Sequence, residues 1–152
     1  MNRDSYIDIR KSADFKTFAF VSEGRHGKLV KLVKFDELKA RKNTFNLSLG
    51  TVLSDGTVDY STTTNNGDRN KILTTVAEAT FIFFDKYPDM KVYLTGSDNR
   101  RTVLYQRAIS YAYNELTRSF SLYGEILLDS GITDFVPFDK TESYIGFLIE
   151  KR

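Results

Sequence analysis

Between residues 90 and 116 an apolar run, 90–94, meets the turn Thr95-Gly96-Ser97-Asp98 and then a helical pattern carrying Arg100, Arg101, Tyr105 and Arg107. A strand passing through small residues into a helix leaves backbone N–H groups pointing out of the helix start, where the macrodipole also favours an anion. The stretch therefore fixes a packed strand–helix pair and supplies a first candidate site. On that helix Tyr105, Ala108, Ile109, Ala112 and Leu116 form the stripe expected to be buried. Arg100, Arg107, Tyr111 and Arg118 fall on another stripe, within about 40° of one another at ~100° per residue.

Upstream the chain reads mainly as strands. Residues 44–49 alternate most cleanly, with Phe45, Leu47 and Leu49 inward and Thr44, Asn46 and Ser48 outward. A short strand is expected at 6–9. Residues 15–22 follow with Phe18 and Phe20 on one face and Phe15, Ala19 and Val21 on the other, the pattern of a strand buried on both sides. Glu23-Gly24-Arg25-His26-Gly27 is a hairpin turn, and 28–35 pairs across it with Lys28, Leu32 and Lys34 on one side and Lys31 opposite. Ser54-Asp55-Gly56 between 51–53 and 57–60 signals an edge hairpin or an ordered loop.

Asn65-Asn66-Gly67-Asp68 opens a helix over 69–86, where Ile72, Leu73, Val76, Ala77, Thr80, Phe83 and Phe84 recur at helical spacing. Pro88 ends it, because the residue before a proline avoids the α region. Beyond the second helix, 120–128 and 132–138 pair through Asp129-Ser130-Gly131, and 142–151 is a short helix or a strand. The reading is α+β: a largely antiparallel β-sheet with two α-helices packed on one face, in a single globular domain spanning 1–152.

Zero cysteine and the single histidine, His26, remove disulfides, thiolate chemistry and His- or Cys-based metal clusters. No spacing of carboxylates, Asp59 and Asp68 included, supports a metal site, and no cofactor is implied. Ser97 and Tyr105 lack a base, so no catalytic residue is assigned and a binding protein is favoured over an enzyme. No leader pattern or membrane-spanning run is present, which leads to the expectation of a cytoplasmic protein without membrane contact.

Three features are candidates for function. The first is an anion site at the second helix start, from Gly96, Ser97, Arg100, Arg101 and Arg107. The second is the polar loop Asn66, Asp68, Arg69 at the other helix start. If both helices start on one edge of the sheet, the two loops converge on a common phosphate-bearing ligand; the structural alternative is two capped helix starts whose arginines pair with surface carboxylates. The third is the hairpin with Arg25, Lys28, Lys31 and Lys34 among Phe18, Phe20 and Phe35, either a face for single-stranded nucleic acid or core phenylalanines beside solvated lysines. Charge is uneven in the same sense, eleven Lys/Arg against six Asp/Glu in residues 1–50 and eleven against fourteen thereafter. The competing class is a protein-interaction component, one partner of a small regulatory or toxin–antitoxin-like pair or a homodimer.

Asn65-Asn66-Gly67-Asp68-Arg69 leading to Thr75-Val76-Ala77, Lys86-Tyr87-Pro88, Thr95-Gly96-Ser97 and Arg101-Thr102-Val103-Leu104-Tyr105 resembles an uncharacterised family of small bacterial proteins. The similarity covers nearly the whole chain, including the Glu23-Gly24 turn and residues 144–152. It implies a bacterial protein with no activity and no catalytic residues to carry over. The recognisable residues cluster at the two helix starts.

Overall fold

The computed structural model describes residues 5–61, 65–96 and 98–152. The chain forms two compact units, Met1–Asp36 with Leu47–Pro88 and Glu37–Asn46 with Asp89–Arg152. The class is α+β, with a largely antiparallel, mixed sheet.

In the first unit, β1 (Arg10–Lys11), β2 (Thr17–Gly24) and β3 (Gly27–Glu37) are successive antiparallel neighbours. Gly24 stands opposite Gly27, which makes Arg25 and His26 the two turn residues. Gly27 has φ +83°, a conformation that favours glycine. Next in order is β4 (Thr44–Val52), whose far end pairs with β5 (Val58–Asp59). Helix α1 (Arg69–Lys86) buries Ile72, Val76, Ala79 and Phe83 along one stripe. The Phe83 ring stacks on Phe35 of β3 at 4.3 Å, and Phe35 meets Phe18 of β2 edge-on at 5.8 Å.

Two expectations for this unit change. Residues 6–9 are no strand, because Tyr6 is spent as an anchor: its N–H donates to Thr75 Oγ1 at 2.9 Å and its ring stacks on Phe20 at 5.6 Å. Strand β2 is deeply buried on the Phe18 and Phe20 side only, since Val21 and its cross-strand partner Val30 are 40% and 41% exposed.

In the second unit the first residues of β4 run parallel to β6 (Lys91–Leu94). The order continues through β9 (Gly146–Lys151), β7 (Phe120–Leu127) and β8 (Thr133–Pro137), all antiparallel. The C-terminal segment is thus a strand between two others, with Gly146, Phe147, Leu148 and Ile149 buried. The helical region holds two helices where one was expected, α2 (Asn99–Tyr111) and α3 (Tyr113–Ser119), giving three among the described residues. Ala112, at φ −95° and ψ 9°, leaves helical values, yet its N–H donates to Ala108 O and its C=O accepts from Leu116 N–H. The side-chain period runs through this bend, which is why the spacing reads as one helix.

Candidate functional site

An aspartate just before a helix ordinarily caps it. Asp68 makes no cap hydrogen bond to α1. Its Oδ2 instead accepts from the Tyr6 hydroxyl at 2.5 Å and the Ser22 hydroxyl at 2.6 Å, while Oδ1 is buried without a hydrogen-bond partner. Burial, then the bond to Asp68, raises the pKa of Tyr6. Asn66 is 3% exposed and equally committed. Its Oδ1 accepts from His26 N–H at 2.6 Å, and its Nδ2 donates to Ser22 Oγ at 3.0 Å and Gly27 O at 3.1 Å. Arg25 N–H donates to Asn66 O at 3.1 Å. These two residues hold the hairpin turn and the Tyr6 segment; Arg69, at the first position of α1, is exposed.

At the start of α2 the chain satisfies itself. Asp98 Oδ1 accepts from Arg101 N–H at 2.9 Å, Gly96 N–H donates to Thr102 Oγ1 at 3.0 Å, and Thr102 Oγ1 donates to Asp98 O at 3.1 Å. Gly96 is held so close that a Cβ there would lie 2.3 Å from Thr102 N. Ser97 lies outside the described residues. Arg101 is buried, and burial raises the pKa of Tyr105 on the same side of α2.

Arg100 and Arg107 are exposed, as are Val103 and Tyr111 between and beyond them. Helix α2 carries three arginines and no acidic residue. Arg100 to Tyr111 spans about 16 Å along the axis. Arg118 of α3 is exposed too, and among the described residues none of Arg100, Arg107 and Arg118 forms an ion pair. The helix-start arginines are therefore divided, Arg101 inward and Arg100 with Arg107 outward.

On the β2–β3 hairpin, Phe18, Phe20 and Phe35 are core residues, 0%, 3% and 2% exposed. Lys31 lies on their side of β3 and is buried, its Nζ donating to Thr51 Oγ1 at 2.7 Å. Lys28 and Lys34 point to the other side, 3.8 Å from Glu23 and 3.9 Å from Asp36. Arg25 is exposed at the turn.

Sequence reading missed a buried ionic cluster in the second unit. Glu125 of β7 is 3% exposed; its Oε1 accepts from the Tyr93 hydroxyl at 2.5 Å and its Oε2 from Arg41 Nη2 at 3.0 Å. The Arg41 guanidinium lies 4.7 Å from the ring centroids of both Tyr93 and Phe135. Desolvation pushes the Glu125 carboxyl up, but hydrogen bonds from Tyr93, Arg41 and Thr133 outweigh it and hold the pKa below the ordinary value. Burial, then the same carboxylate, raises Tyr93 to about 12. By alternation Glu125 falls on the face opposite Phe120 and Leu122, beside Ser121 and Tyr123, where a carboxylate reads as solvated. Its partner Arg41 comes from 84 residues earlier in the chain, a contact that no local pattern announces.

Among the described residues no group of three or more His, Cys, Asp or Glu side chains is placed to hold a metal ion, and no helix is long and apolar enough to cross a membrane. A family model described as a family of unknown function, DUF6934, matches residues 2–152. No curated protein and no solved structure matches the chain.

Proposed function

Since the chain belongs to that family of unknown function, we propose a role from geometry alone: a non-enzymatic module that binds the phosphate backbone of nucleic acid through the exposed side of α2. The observation that carries this reading is the composition of one face. Arg100 and Arg107 project to solvent without ion pairs among the described residues, on a 13-residue helix that has no carboxylate of its own. Guanidinium groups spaced by two helical turns match phosphate recognition by charge and by hydrogen bonding. Tyr111, 74% exposed at the end of the stripe, offers a ring for stacking one base.

The placement of the hairpin phenylalanines in the core withdraws the multi-ring platform that stacking along a single strand would use. The reading accordingly rests on phosphate contact and predicts little dependence on base sequence. Arg100 and Arg107 are the direct ligands in this reading. Fluorescence anisotropy with a labelled mixed-sequence oligonucleotide at low salt tests it: saturable binding supports the module, and its absence refutes it.

A protein-partner reading is favoured by a different feature, the tip of the β7–β8 hairpin, where Leu127 and Ile132 are 63% and 65% exposed. Binding to a protein through such apolar groups would be insensitive to salt, which separates the two readings.

A further inference from the structure

We propose that Tyr93, Phe135 and Glu125 form a receptor for a guanidinium group from a second molecule, and that Arg41 occupies it in cis. The site is built by sheet register. Phe135 of β8 and Gly146 of β9 stand directly opposite Glu125 on either side, so the carboxylate has an aromatic neighbour on one flank and no side chain on the other. The vacant flank lets the Tyr93 phenol reach across from β6. A Cβ on Gly146 would lie 2.6 Å from Glu125 Oε1 and 2.7 Å from the Tyr93 hydroxyl oxygen, so a side chain there would push the ends of both residues out of their present contact.

The two rings, 6.1 Å apart and 79° to one another, form two walls, with the carboxylate as the third. Two π faces and a hydrogen-bonded carboxylate are the chemistry that recognises a planar, delocalised cation. With Arg41 in place, burial pushes the Glu125 carboxyl up but hydrogen bonds from Tyr93, Arg41 and Thr133 hold it below the ordinary value.

Arg41 fits the receptor incompletely. It makes one bond to the carboxylate where a fork of two is the strong geometry, and its Nη1 is buried without an acceptor. It comes from the connection between β3 and β4, and its side chain stays one-third exposed although Nη1 is buried. An occupant tethered by a loop competes at an effective concentration of order millimolar. A free guanidinium of equal intrinsic affinity therefore enters the wild-type site only at millimolar concentration or above, and enters readily once Arg41 is shortened. This inference involves none of the α2 residues and stands or falls apart from nucleic-acid binding.

The test is an amide NMR titration of the full chain, wild type and Arg41→Met, with ethylguanidinium, with an acetylated Gly-Arg-Gly amide, and with urea as a neutral control of similar shape. Saturable shifts at Tyr93, Glu125 and Gly146 are expected in Arg41→Met with either cation, in wild type at about tenfold or more higher concentration, and not with urea. Response to the peptide but not to ethylguanidinium assigns the ligand to a polypeptide arginine; response to both assigns the guanidinium group itself. Adding Glu125→Gln should abolish the shifts. The wild-type titration decides the matter even if Arg41→Met does not fold. Absence of saturable wild-type shifts up to 50-fold above the cis concentration, estimated as roughly millimolar, or equal shifts with urea, overturns the receptor and leaves Arg41 a permanent structural partner.

Discussion

Tyr6 donates its hydroxyl to Asp68 Oδ2 at 2.5 Å, across 62 residues of sequence, and in doing so takes the carboxylate that would otherwise cap α1. Ser22 shares the same oxygen at 2.6 Å. Tyr6→Phe should therefore destabilise the fold by about 1–3 kcal/mol, because it leaves a charged acceptor short of a donor. Urea denaturation checks this. An unchanged midpoint would show that the contact carries no weight.

Gly24 faces Asn66 so closely that a Cβ would lie 1.8 Å from the Asn66 carbonyl oxygen. Since the obstacle is backbone, Gly24→Ala must displace the loop or the hairpin turn. The expected loss is about 1–3 kcal/mol or more, as for an overpacked interior. Thermal unfolding of the variant reads it directly, with Gly56→Ala as a comparison where the space is open but φ is +88°.

Phe83 is fully buried between Phe35 and Phe84, and Phe83→Ala should cost about 3–5 kcal/mol. A denaturation midpoint equal to wild type would contradict the packing of α1 described for the first unit.

The Glu125 cluster gives the stability curve two edges. The Glu125 pKa is lower in the folded state than in the unfolded chain, so its contribution is present above the unfolded value of about 4.3 and is lost as pH falls through the folded value. Tyr93 shifts the opposite way. Its folded pKa of about 12 lies above the ordinary value of 10.0, so its contribution is complete below the ordinary value and is lost as pH rises through the folded one. In a tyrosinate absorbance titration, Tyr93→Phe should remove the last phenol to ionise; an unchanged high-pH limb would contradict the bond to Glu125.

Local signals carried much of the fold. The spacing of Ile72, Val76, Phe83 and Phe84 placed α1 at its observed limits, and Phe45, Leu47, Val76, Phe83, Phe84 and Ile109 are all buried as their periodicity predicts. What was illegible depends on contacts distant in sequence. Residues 6–9 look β-prone, but Tyr6 is claimed by Thr75 and Asp68. The segment ending at Lys151 fits helix or strand, and only its position between β6 and β7 decides for strand. Asp68 looks like a cap and Glu125 looks solvated because their partners, at residues 6 and 41, are invisible in the local pattern. The exposed stripe of Arg100, Arg107 and Tyr111 was legible, whereas the burial of Arg101 one position along the helix was not.

The most direct test of nucleic-acid binding through α2 is the salt dependence of affinity, measured by anisotropy on one labelled oligonucleotide for wild type and for the Arg100→Ala, Arg107→Ala double variant. Both residues are exposed, so the variant should keep wild-type stability. Each arginine that contacts a phosphate adds about 0.7–0.9 to the slope of log K against log salt. Wild type is expected to bind at low salt, and the double variant to bind more weakly with a slope smaller by about 1.4–1.8. A wild-type protein that does not bind, or a double variant that keeps both the affinity and the slope of wild type, would contradict it.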